Sequence, residues 1–207
     1  MSYSLLFDIG NVIVNFDFEI SVRRIAAQCS VPPKAIFHNV NTLKDDLESG
    51  NISPEEFLDQ ATAKIGYSGA NRELIEAFQE VFEPNQEIVE LIEAESKSGT
   101  PLYLLSNTNG IHVPFLFERY PVFNLFDGAI YSHEVRCMKP HSSIYEKTIE
   151  ILGINPEATI YIDDMPENFE AGKAHGFKAI EYRKGDHATF LKEFQSAKEA
   201  ILSSPGS

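Results

Sequence analysis

Residues 5–12, LLFDIGNV, decide the fold that this sequence predicts. A continuous apolar run is typical of a strand buried on both faces, and such strands occur in parallel sheets. The run delivers Asp8 and then turns through Gly10 and Asn11. In an open parallel sheet, ligands bind beyond the carboxyl ends of the strands. Asp8 is therefore a candidate carboxylate nucleophile, and the alternative interpretation is an ordinary turn aspartate.

Four further apolar runs predict the rest of a parallel sheet. Together with the first run, the predicted strands are residues 3–9, 101–106, 128–131, 159–163 and 178–182. Helical patterns that end at a glycine lie between most of them, at residues 85–98, 142–152 and 167–175. Strands that alternate with helices imply crossover units and a parallel sheet. The sequence therefore predicts an α/β fold.

One long segment, residues 18–82, breaks this alternation because it contains helical patterns and no convincing strand. Ser53 and Pro54 predict a helix start within it, since serine caps helix N-termini and proline suits the first turn. Residues 72–82 form a second amphipathic helical pattern. We expect an all-helical cap that is inserted after the first strand.

The expected domain division follows from that insertion. Residues 1–17 and 83–207 would form the α/β core domain, and residues 18–82 would form the helical cap domain. Glu83-Pro84 is the expected hinge back into the core, because proline resists the continuation of a helix. Residues 203–207, SSPGS, are interpreted as a frayed tail.

Composition and charge limit the partners. No apolar run approaches the roughly 18 residues of a membrane span, and no basic leader precedes the apolar start. Two cysteines in 207 residues imply no disulfide framework, so a reducing cytoplasm is the simpler location. The net charge of −14 disfavours nucleic acid and anionic membranes as partners. It also opposes anionic substrates, so a phosphate site here requires local positive charge.

Two more polar clusters suit phosphate. Residues 104–109, LLSNTN, place Ser106 and Asn107 where a predicted strand gives way to a helix. Hydroxyls, amides and free N–H groups at a helix start bind phosphate oxygens, and an ordinary helix cap is the alternative. Lys139 stands next to a stiffening proline and could neutralise both a nucleophile and a phosphate. A lone lysine is more often a solvated surface charge.

A fourth cluster suits a metal ion. Asp163 and Asp164 end the apolar run at residues 159–163. Adjacent carboxylates repel each other unless a cation lies between them, and hard oxygen ligands suit magnesium. The alternative interpretation is acidic capping of the following helix.

The order of these clusters, with a helical insert after the first, resembles the haloacid dehalogenase superfamily over almost the whole chain. The motifs FDIGNVIV, LLSNTN, MKP and YIDD are most similar to the branch with a small helical cap, in particular to bacterial α-D-glucose-1-phosphate phosphatases. The resemblance implies a Rossmann-like sheet with helices on both faces and a mobile cap over the active site. Either a monomer or a homodimer is compatible with the sequence.

The resemblance also implies a role for each motif residue. Asp8 would be the nucleophile, Ser106 and Asn107 would bind the phosphate of a small metabolite, and Lys139 would neutralise charge. The implied cofactor is Mg²⁺. Its implied ligands are Asp8, the Gly10 carbonyl, Asp164 and, more weakly, Asp163, and Asn168 would brace the site.

Position 10 departs from the family pattern. Phosphatases of the superfamily usually carry a second aspartate there, which acts as general acid and base, and this chain has Gly10. General acid catalysis contributes about 10²–10⁴-fold, so its loss requires a repair. Three repairs are open: a leaving group of low pKa, a proton carried by water or substrate, or another side chain. His112 and His133 are the nearest candidates, although a partly packed or surface histidine is the simpler interpretation of His112.

Three functions remain open on the sequence. The leading one is a magnesium-dependent phosphatase for small phosphate monoesters, such as glucose 1-phosphate, that forms an aspartyl-phosphate on Asp8. The second is a 2-haloacid dehalogenase, since those relatives also lack the second aspartate. The metal-binding Asp163-Asp164 pair opposes it, and Arg23 and Arg24 do not clearly match the arginine that dehalogenases need. The third is a non-catalytic binding protein on the same fold.

Overall fold

Seven short strands appear in the computed structural model, which describes residues 2–203. In chain order they are β1 (Ser4–Phe7), β2 (Val14–Phe16), β3 (Phe82–Pro84), β4 (Leu102–Ser106), β5 (Gly128–Tyr131), β6 (Thr159–Asp163) and β7 (Lys178–Glu181). Five of them form a parallel sheet in the order β5-β4-β1-β6-β7. The remaining two, β2 and β3, form a separate antiparallel ribbon.

Helices connect these strands. In chain order they are α1 (Phe18–Ile25), α2 (Pro33–Asn41), α3 (Lys44–Glu48), α4 (Pro54–Ile65), α5 (Asn71–Gln79), α6 (Gln86–Lys97), α7 (His112–Arg119), α8 (Ser132–Val135), α9 (Ser142–Leu152), α10 (Pro166–Ala174) and α11 (His187–Ser203). Short 3₁₀ turns lie at Ala26–Gln28, Pro121–Leu125 and Pro156–Ala158. None of the helices among residues 2–203 combines the length and the apolar content that a bilayer span requires.

The parallel sheet is covered by helices on both faces, which confirms the predicted fold class. Leu5 and Phe7 of β1 point into a cluster that also contains apolar residues of α6, α7 and α11. Leu6 points into a second cluster with residues of α9. Successive side chains of a strand alternate between its two faces, so an unbroken apolar strand is required when both faces are buried. The predicted strands are all present, with ends up to two residues shorter than expected.

The ribbon of β2 and β3 corrects two expectations. The predicted helix at residues 72–82 ends earlier, at Gln79, and Phe82 belongs to a strand. Phe82 lies opposite Phe16 in the antiparallel ladder, so the chain enters and leaves the helical insert through two adjacent, hydrogen-bonded segments. Glu83 and Pro84, the expected hinge, are paired within this ladder. A three-residue strand carries too weak a periodic pattern to be recognised in the sequence.

Helices α1–α5 pack around a hydrophobic cluster of their own. The helix start predicted at Ser53 is confirmed, since its hydroxyl accepts from the Glu56 N–H while the Glu56 carboxylate accepts from the Ser53 N–H. The same helix ends at Gly66, whose φ of 59° lies in the left-handed region that glycine adopts without strain. Ile111 of the loop after β4 joins this cluster, so the insert is packed onto the core.

The C-terminal helix α11 was not expected from the sequence. Phe190, Phe194 and Ile201 attach it to the cluster that also covers Leu5 and Phe7. Ser203 ends this helix, whereas the sequence interpretation placed it in a tail, and the rest of that tail, residues 204–207, lies outside the described residues. The division between residues 17 and 18 and between residues 82 and 83 stays a prediction.

Candidate active site

Three polar side chains meet at the carboxyl edge of the sheet. Asp8 directly follows β1, Ser106 ends β4 and Asp163 ends β6. Strand β1 lies between β4 and β6, and the Asp8 N–H donates to the Ile162 carbonyl at 2.9 Å. All three polar residues are less than one-tenth exposed. The sheet topology therefore places these groups side by side in a site that excludes most water.

Lys139 reaches the strand ends from the loop between α8 and α9. Its Nζ lies 2.6 Å from Asp163 Oδ2 and 3.0 Å from Asp8 Oδ1. The same ammonium group donates to the Leu105 carbonyl at 3.0 Å. The Lys139 side chain is only 1% exposed. This lysine is therefore an internal countercharge that two carboxylates share, and the interpretation as a solvated surface charge is wrong.

The side chain of Asn107 holds the Lys139 backbone in place. Its Oδ1 accepts from the Lys139 N–H at 2.8 Å, and its Nδ2 donates to the Lys139 carbonyl at 3.0 Å. Both functions of the Asn107 amide are therefore engaged within the protein. The side chain of Asn107 therefore positions the lysine, and a phosphate-binding role for Asn107 stays a prediction that now concerns its main-chain N–H.

Burial and charge set the ionisation of this cluster. Burial raises the pKa of the Asp8 carboxyl to about 6, against the opposing effect of the Lys139 ammonium. Burial alone would lower the pKa of Lys139, but the charges of Asp163 and Asp8 outweigh it and raise that pKa above its ordinary value. Lys139 is therefore a permanent cation. Asp8 is costly to ionise by itself, so a further cation at the site would favour its reactive, charged form.

Four donors saturate the Asp163 carboxylate. Its Oδ1 accepts from the Met165 N–H at 2.9 Å and from Asn168 Nδ2 at 3.0 Å. Its Oδ2 accepts from Lys139 at 2.6 Å and from the Tyr161 hydroxyl at 2.5 Å. A carboxylate offers about four lone-pair sites, and all of them are in use here. Asp163 therefore orients Lys139 and the start of α10, and the predicted bracing by Asn168 acts through this carboxylate.

Asp164 is the more open carboxylate of the pair. Its Oδ2 accepts from Asn11 Nδ2 at 3.1 Å, and Asn11 adopts the left-handed conformation with φ of 52°. Asparagine tolerates that conformation better than most residues, so the turn after Gly10 is retained. Burial raises the pKa of Asp164, which again favours a neighbouring cation.

The donor set fits a hard divalent ion. Carboxylate oxygens of Asp8, Asp163 and Asp164 lie within 4.8 Å of one another. Oxygen ligands at this spacing suit Mg²⁺, which keeps several water ligands and uses one or two carboxylates. Because the Asp163 oxygens are saturated, Asp8 and Asp164 are the carboxylates that fit such an ion. The Gly10 carbonyl, two residues after Asp8, stays a predicted third ligand.

The loop after β4 leads into helix α7 shortly after Asn109. Helix α7 begins at His112, as expected for a helix that follows the LLSNTN cluster. The Asn109 carboxamide oxygen accepts from the N–H groups of Ile111 and His112, both at 3.1 Å. The first N–H groups of the helix are therefore satisfied within the protein. The Ser106 hydroxyl and main-chain N–H groups before the helix stay the predicted phosphate-binding groups of this loop.

Neither histidine near the site is suited to donate a proton. His112 is half-buried, and desolvation lowers its pKa to about 4, so the ring is neutral. Its Nδ1 faces the Asn109 amide nitrogen at 3.2 Å and must accept, and the ring bonds the Phe78 backbone. His133 Nδ1 donates to the Thr108 carbonyl at 3.0 Å, and burial lowers the His133 pKa. A neutral His133 therefore has no proton on its second nitrogen.

An aromatic side chain occupies the space beside Gly10. A Cβ atom at position 10 would lie 3.0 Å from the Phe16 ring, so the usual aspartate would require that ring to move. The Phe16 and Phe18 ring centroids are 5.2 Å apart, and Phe37 follows at 6.3 Å from Phe18. Phe16 is 38% exposed and Phe37 is 49% exposed. We call Phe16, Phe18 and Phe37 the aromatic wall, which extends from Gly10 along the helical insert.

A cavity of about 70 Å³ lies between the insert and the core behind this wall. Its lining is mostly apolar, and the core side supplies Asn109, Ile111 and His112. Glu48, at the end of α3, also lines it and is only 7% exposed. The sequence analysis did not single out Glu48, because the acidic pattern KDDLE is typical of a solvated helix face. Only the docking of α3 reveals its burial.

With this geometry in place, comparison with known proteins identifies the class. A family model described as haloacid dehalogenase-like hydrolase matches residues 4–176. This chain belongs to the haloacid dehalogenase-like hydrolases. The match confirms the superfamily that the four sequence motifs indicated, and the finer resemblance to glucose-1-phosphate phosphatases stays a prediction.

Two named relatives and one solved structure are similar over most of their length. The chain is 26% identical over 194 residues to D-ribitol-5-phosphate phosphatase of Bacteroides thetaiotaomicron, covering 89% of this chain and 94% of the relative. It is 25% identical over 178 residues to sesquiterpene phosphatase astK of Aspergillus oryzae, and the match covers 84% of this chain and 87% of the relative. The solved structure is a haloacid dehalogenase family enzyme of B. thetaiotaomicron in complex with magnesium and inorganic phosphate. It aligns with a TM-score of 0.77 at 25% identity, and the alignment covers 92% of this chain and 99% of that enzyme.

Proposed function

We propose that this protein is a magnesium-dependent phosphatase that hydrolyses small phosphate monoesters through an aspartyl-phosphate on Asp8. One observation carries the proposal: a buried Asp8 carboxylate lies 3.0 Å from the Lys139 ammonium and within 4.8 Å of the Asp164 carboxylate. A nucleophile so placed has a fixed countercharge on one side and a cation site on the other. The names of both phosphatase relatives support the same class of reaction.

The chain's own residues account for the chemical steps. A carboxylate oxygen of Asp8 attacks phosphorus, and the bond to the leaving oxygen breaks as the aspartyl-phosphate forms. Lys139 neutralises charge on the transferred group, while the Ser106 hydroxyl and the Asn107 N–H hold its oxygens. Water then cleaves the acyl-phosphate and regenerates Asp8. Mg²⁺, when bound by Asp8, Asp164 and the Gly10 carbonyl, adds electrostatic stabilisation of the phosphoryl oxygens.

The helical insert, residues 18–82, sets substrate selectivity in this proposal. In this proposal the core motifs bind the phosphoryl group, and the aromatic wall and the cavity behind it receive the leaving group. Within this class we retain sugar phosphates such as glucose 1-phosphate as the specific proposal, since its anomeric leaving group is more acidic than an ordinary alcohol. The aromatic wall favours substrates that also present an apolar face to Phe16 and Phe18.

The dehalogenase alternative is less well supported. Dehalogenation needs an arginine that holds the substrate carboxylate, and Arg23 and Arg24 are engaged elsewhere. Arg23 pairs with Asp17 and Glu19 on the surface, where its side chain is 62% exposed. Arg24 pairs with carboxylates of α5 and the residue that follows it. A non-catalytic role would also leave the energetically costly burial of Asp8 and Lys139 without a purpose.

Phosphate release from 4-nitrophenyl phosphate tests the proposal. We expect turnover with Mg²⁺ and its loss in excess chelator, restored when Mg²⁺ is added back. Chloride release from 2-chloropropionate, measured in parallel, should be absent. Full phosphatase turnover in chelator would contradict the proposed mechanism. Chloride release without phosphatase turnover would establish the dehalogenase alternative. If neither substrate reacts, the non-catalytic binding protein is the alternative that remains.

A further inference from the structure

The proposed phosphatase lacks a proton donor at position 10. Gly10 has no side chain, and neither His112 nor His133 carries an available proton near neutral pH. A leaving alcohol needs a proton as its bond to phosphorus breaks, and a general acid contributes about 10²–10⁴-fold to that step. A buried acid on another element could supply that proton.

Glu48 is the buried acid of the helical insert. It is the last residue of α3, a five-residue helix whose Leu43 and Leu47 neighbours belong to the insert's hydrophobic cluster. The side chain of Glu48 is 9% exposed, and its only ion-pair partner among the described residues is Lys44, at 3.6 Å. Lys44 itself is half exposed, so its ammonium group is solvated and compensates the buried carboxylate only in part. A carboxyl group in such a position is costly to bury unless it has a function.

The end of α3 is seated directly on the core. Gly50, two residues after Glu48, has a φ of 71°, and a Cβ atom there would lie 2.2 Å from the His133 carbonyl oxygen. Pro54, at the start of α4, likewise approaches Gly110 of the loop after β4. These close contacts fix the position of Glu48 relative to the two core loops that flank the site. Glycine at position 50 is required because any side chain would collide with the core backbone.

Glu48 and the core loop line the same cavity. Asn109 and His112, on the loop that carries Ser106, form its core side, and Glu48 lies on its insert side. The electrostatic field of Asp8 also reaches Glu48 and contributes to its ionisation behaviour. Glu48 therefore lies across this cavity from the loop that follows Ser106, and Asp8 is near enough to influence its ionisation.

We propose that Glu48 is the general acid and base of this enzyme, acting from the helical insert in place of the aspartate that is missing at position 10. This inference rests on the proposed phosphatase function and adds a catalytic residue to it. It also assigns the insert a chemical role, because the acid is in place only when α3 is docked on the core.

The charge state of Glu48 suits this role. Burial raises the pKa of the Glu48 carboxyl to about 7, and Lys44 opposes this shift while Asp45 and Asp8 reinforce it. Both the protonated and the ionised form are then accessible near neutral pH, which is the condition under which one group both donates and accepts efficiently. The mostly apolar lining of the cavity explains why burial raises this pKa.

The proton balance closes over the two steps. As Asp8 attacks phosphorus, the protonated Glu48 carboxyl donates its proton to the leaving oxygen, and the alcohol departs with Glu48 ionised. In the second step the Glu48 carboxylate accepts a proton from the attacking water as its oxygen bonds to phosphorus. Asp8 leaves as a carboxylate, and phosphate departs with Glu48 again protonated. No oxidant or further reactant is needed.

A series of leaving groups tests the proposal. Phosphorylation rates of wild type and Glu48→Gln are compared with 4-nitrophenyl, phenyl and simple alkyl phosphates, in order of rising leaving-group pKa. We expect Glu48→Gln to lose less than about tenfold with the nitrophenyl substrate and about 10²–10³-fold with the alkyl substrate. Wild type should show a shallow dependence on leaving-group pKa and the variant a steep one.

Asp45→Asn is the matched control, because it removes one carboxylate from the exposed side of the same helix. It should retain the wild-type dependence. An equal loss with every leaving group, or no loss at all, would overturn the role of Glu48. If Glu48→Gln does not fold, Glu48→Asp is used instead, because its shorter side chain moves the carboxyl away from the leaving group. The same series of leaving groups then tests the role of Glu48. Failure of wild type to cleave 4-nitrophenyl phosphate would instead contradict the phosphatase function itself.

Discussion

The edge of the sheet and the cavity under the helical insert differ in almost every physical property. The edge is dense in charge, and its Asp163 carboxylate accepts hydrogen bonds of 2.5–3.0 Å from four fixed donors, one of them Lys139. The cavity is mostly apolar, and Glu48 is the buried carboxyl that lines it. The first region is built to hold one phosphoryl geometry. The second can accept different leaving groups, because apolar contacts are not directional.

This contrast agrees with the proposed division of labour, in which the core would perform the phosphoryl chemistry and the insert would contribute selectivity and, through Glu48, the proton. Charged groups in a preorganised, dry site stabilise developing charge most strongly. Apolar contacts discriminate substrates only modestly, by about 10–200-fold per methylene-sized difference. Substitutions at the edge should therefore have larger effects on rate than those in the cavity.

The largest effect should follow Asp8→Asn. The amide is nearly isosteric and leaves Lys139 in place, but it is not a nucleophile toward phosphorus. We expect kcat to fall by about 10⁴-fold or more with every substrate, because no other group can form the acyl-phosphate. Circular dichroism and inorganic phosphate binding serve as controls for an intact fold. Appreciable turnover by a folded variant would show that the nucleophile lies elsewhere.

Asp164→Ala should be the next most severe. It removes one of the two carboxylates that fit Mg²⁺ while leaving Asp163 and its four donors intact. We expect an increased Mg²⁺ requirement and a loss of about 10²–10³-fold in kcat at saturating metal. A Mg²⁺ titration of activity measures both. Glu167→Ala, three residues along the chain and exposed, is the control, and equal Mg²⁺ requirements in the two variants would exclude Asp164 as a ligand.

Gly50→Ala tests the contact between the two regions. A Cβ atom at position 50 meets the His133 carbonyl oxygen at 2.2 Å, and the φ of 71° is unfavourable for alanine. We expect a loss of about 2–3 kcal/mol in the free energy of unfolding. Gly99→Ala, with φ of 78° and open space around the new atom, should lose only about 1 kcal/mol. Equal losses in urea denaturation would contradict the tight seating of α3 on α8.

The pH dependence of stability tests the burial of Glu48. Its folded pKa of about 7 lies above the ordinary carboxyl value, so folding favours the protonated form. Below about pH 4.5 the Glu48 carboxyl is protonated and does not reduce the free energy of unfolding. As the pH rises through 7, the buried carboxyl has to ionise, and the free energy of unfolding falls. Glu48→Gln should raise the free energy of unfolding by about 1–3 kcal/mol at pH 8 and by little at pH 4. A pH-independent difference would show that Glu48 is not buried in its neutral form.

The smallest effect should follow truncation of the aromatic wall. Phe37→Ala removes an exposed ring that lines the cavity, and it should reduce kcat/KM for naphthyl phosphate by about tenfold. Acetyl phosphate, whose leaving group is too small to reach the wall, should be cleaved at the wild-type rate. Leu191→Ala, on the exposed face of α11, is the control. A parallel loss with both substrates would mean that the ring supports the fold and not selectivity.

The two regions were also unequally predictable from the sequence. Each strand of the parallel sheet is a continuous apolar run, and parallel topology brings the residues after these runs to one edge. Asp8, Ser106 and Asp163 could therefore be placed together before the structure was available. The sequence does not predict the saturated hydrogen bonding of Asp163 or the hydrogen bonds of the Asn107 amide, because both depend on the positions of Tyr161 and Lys139 in space.

The cavity and the ribbon of β2 and β3 were missed for physical reasons. Glu48 lies in a short acidic helix whose sequence is typical of a solvated surface, and its burial arises only because Gly50 allows α3 to approach His133 closely. The Phe16 ring beside Gly10 is brought there by the ribbon, whose two strands are separated by 65 residues of insert. Local patterns carry no information about such distant pairing.

Identification of the phosphorylated residue tests the central claim most directly. Wild-type enzyme is mixed with 4-nitrophenyl phosphate and Mg²⁺, quenched in acid during turnover, digested with pepsin at low pH and analysed by mass spectrometry. The account predicts one phosphorylated peptide, with the group on Asp8, labile to hydroxylamine and absent from Asp8→Asn. Phosphate on any other residue, or rapid turnover with the phosphoryl group going directly to water and no labelled peptide, would contradict it.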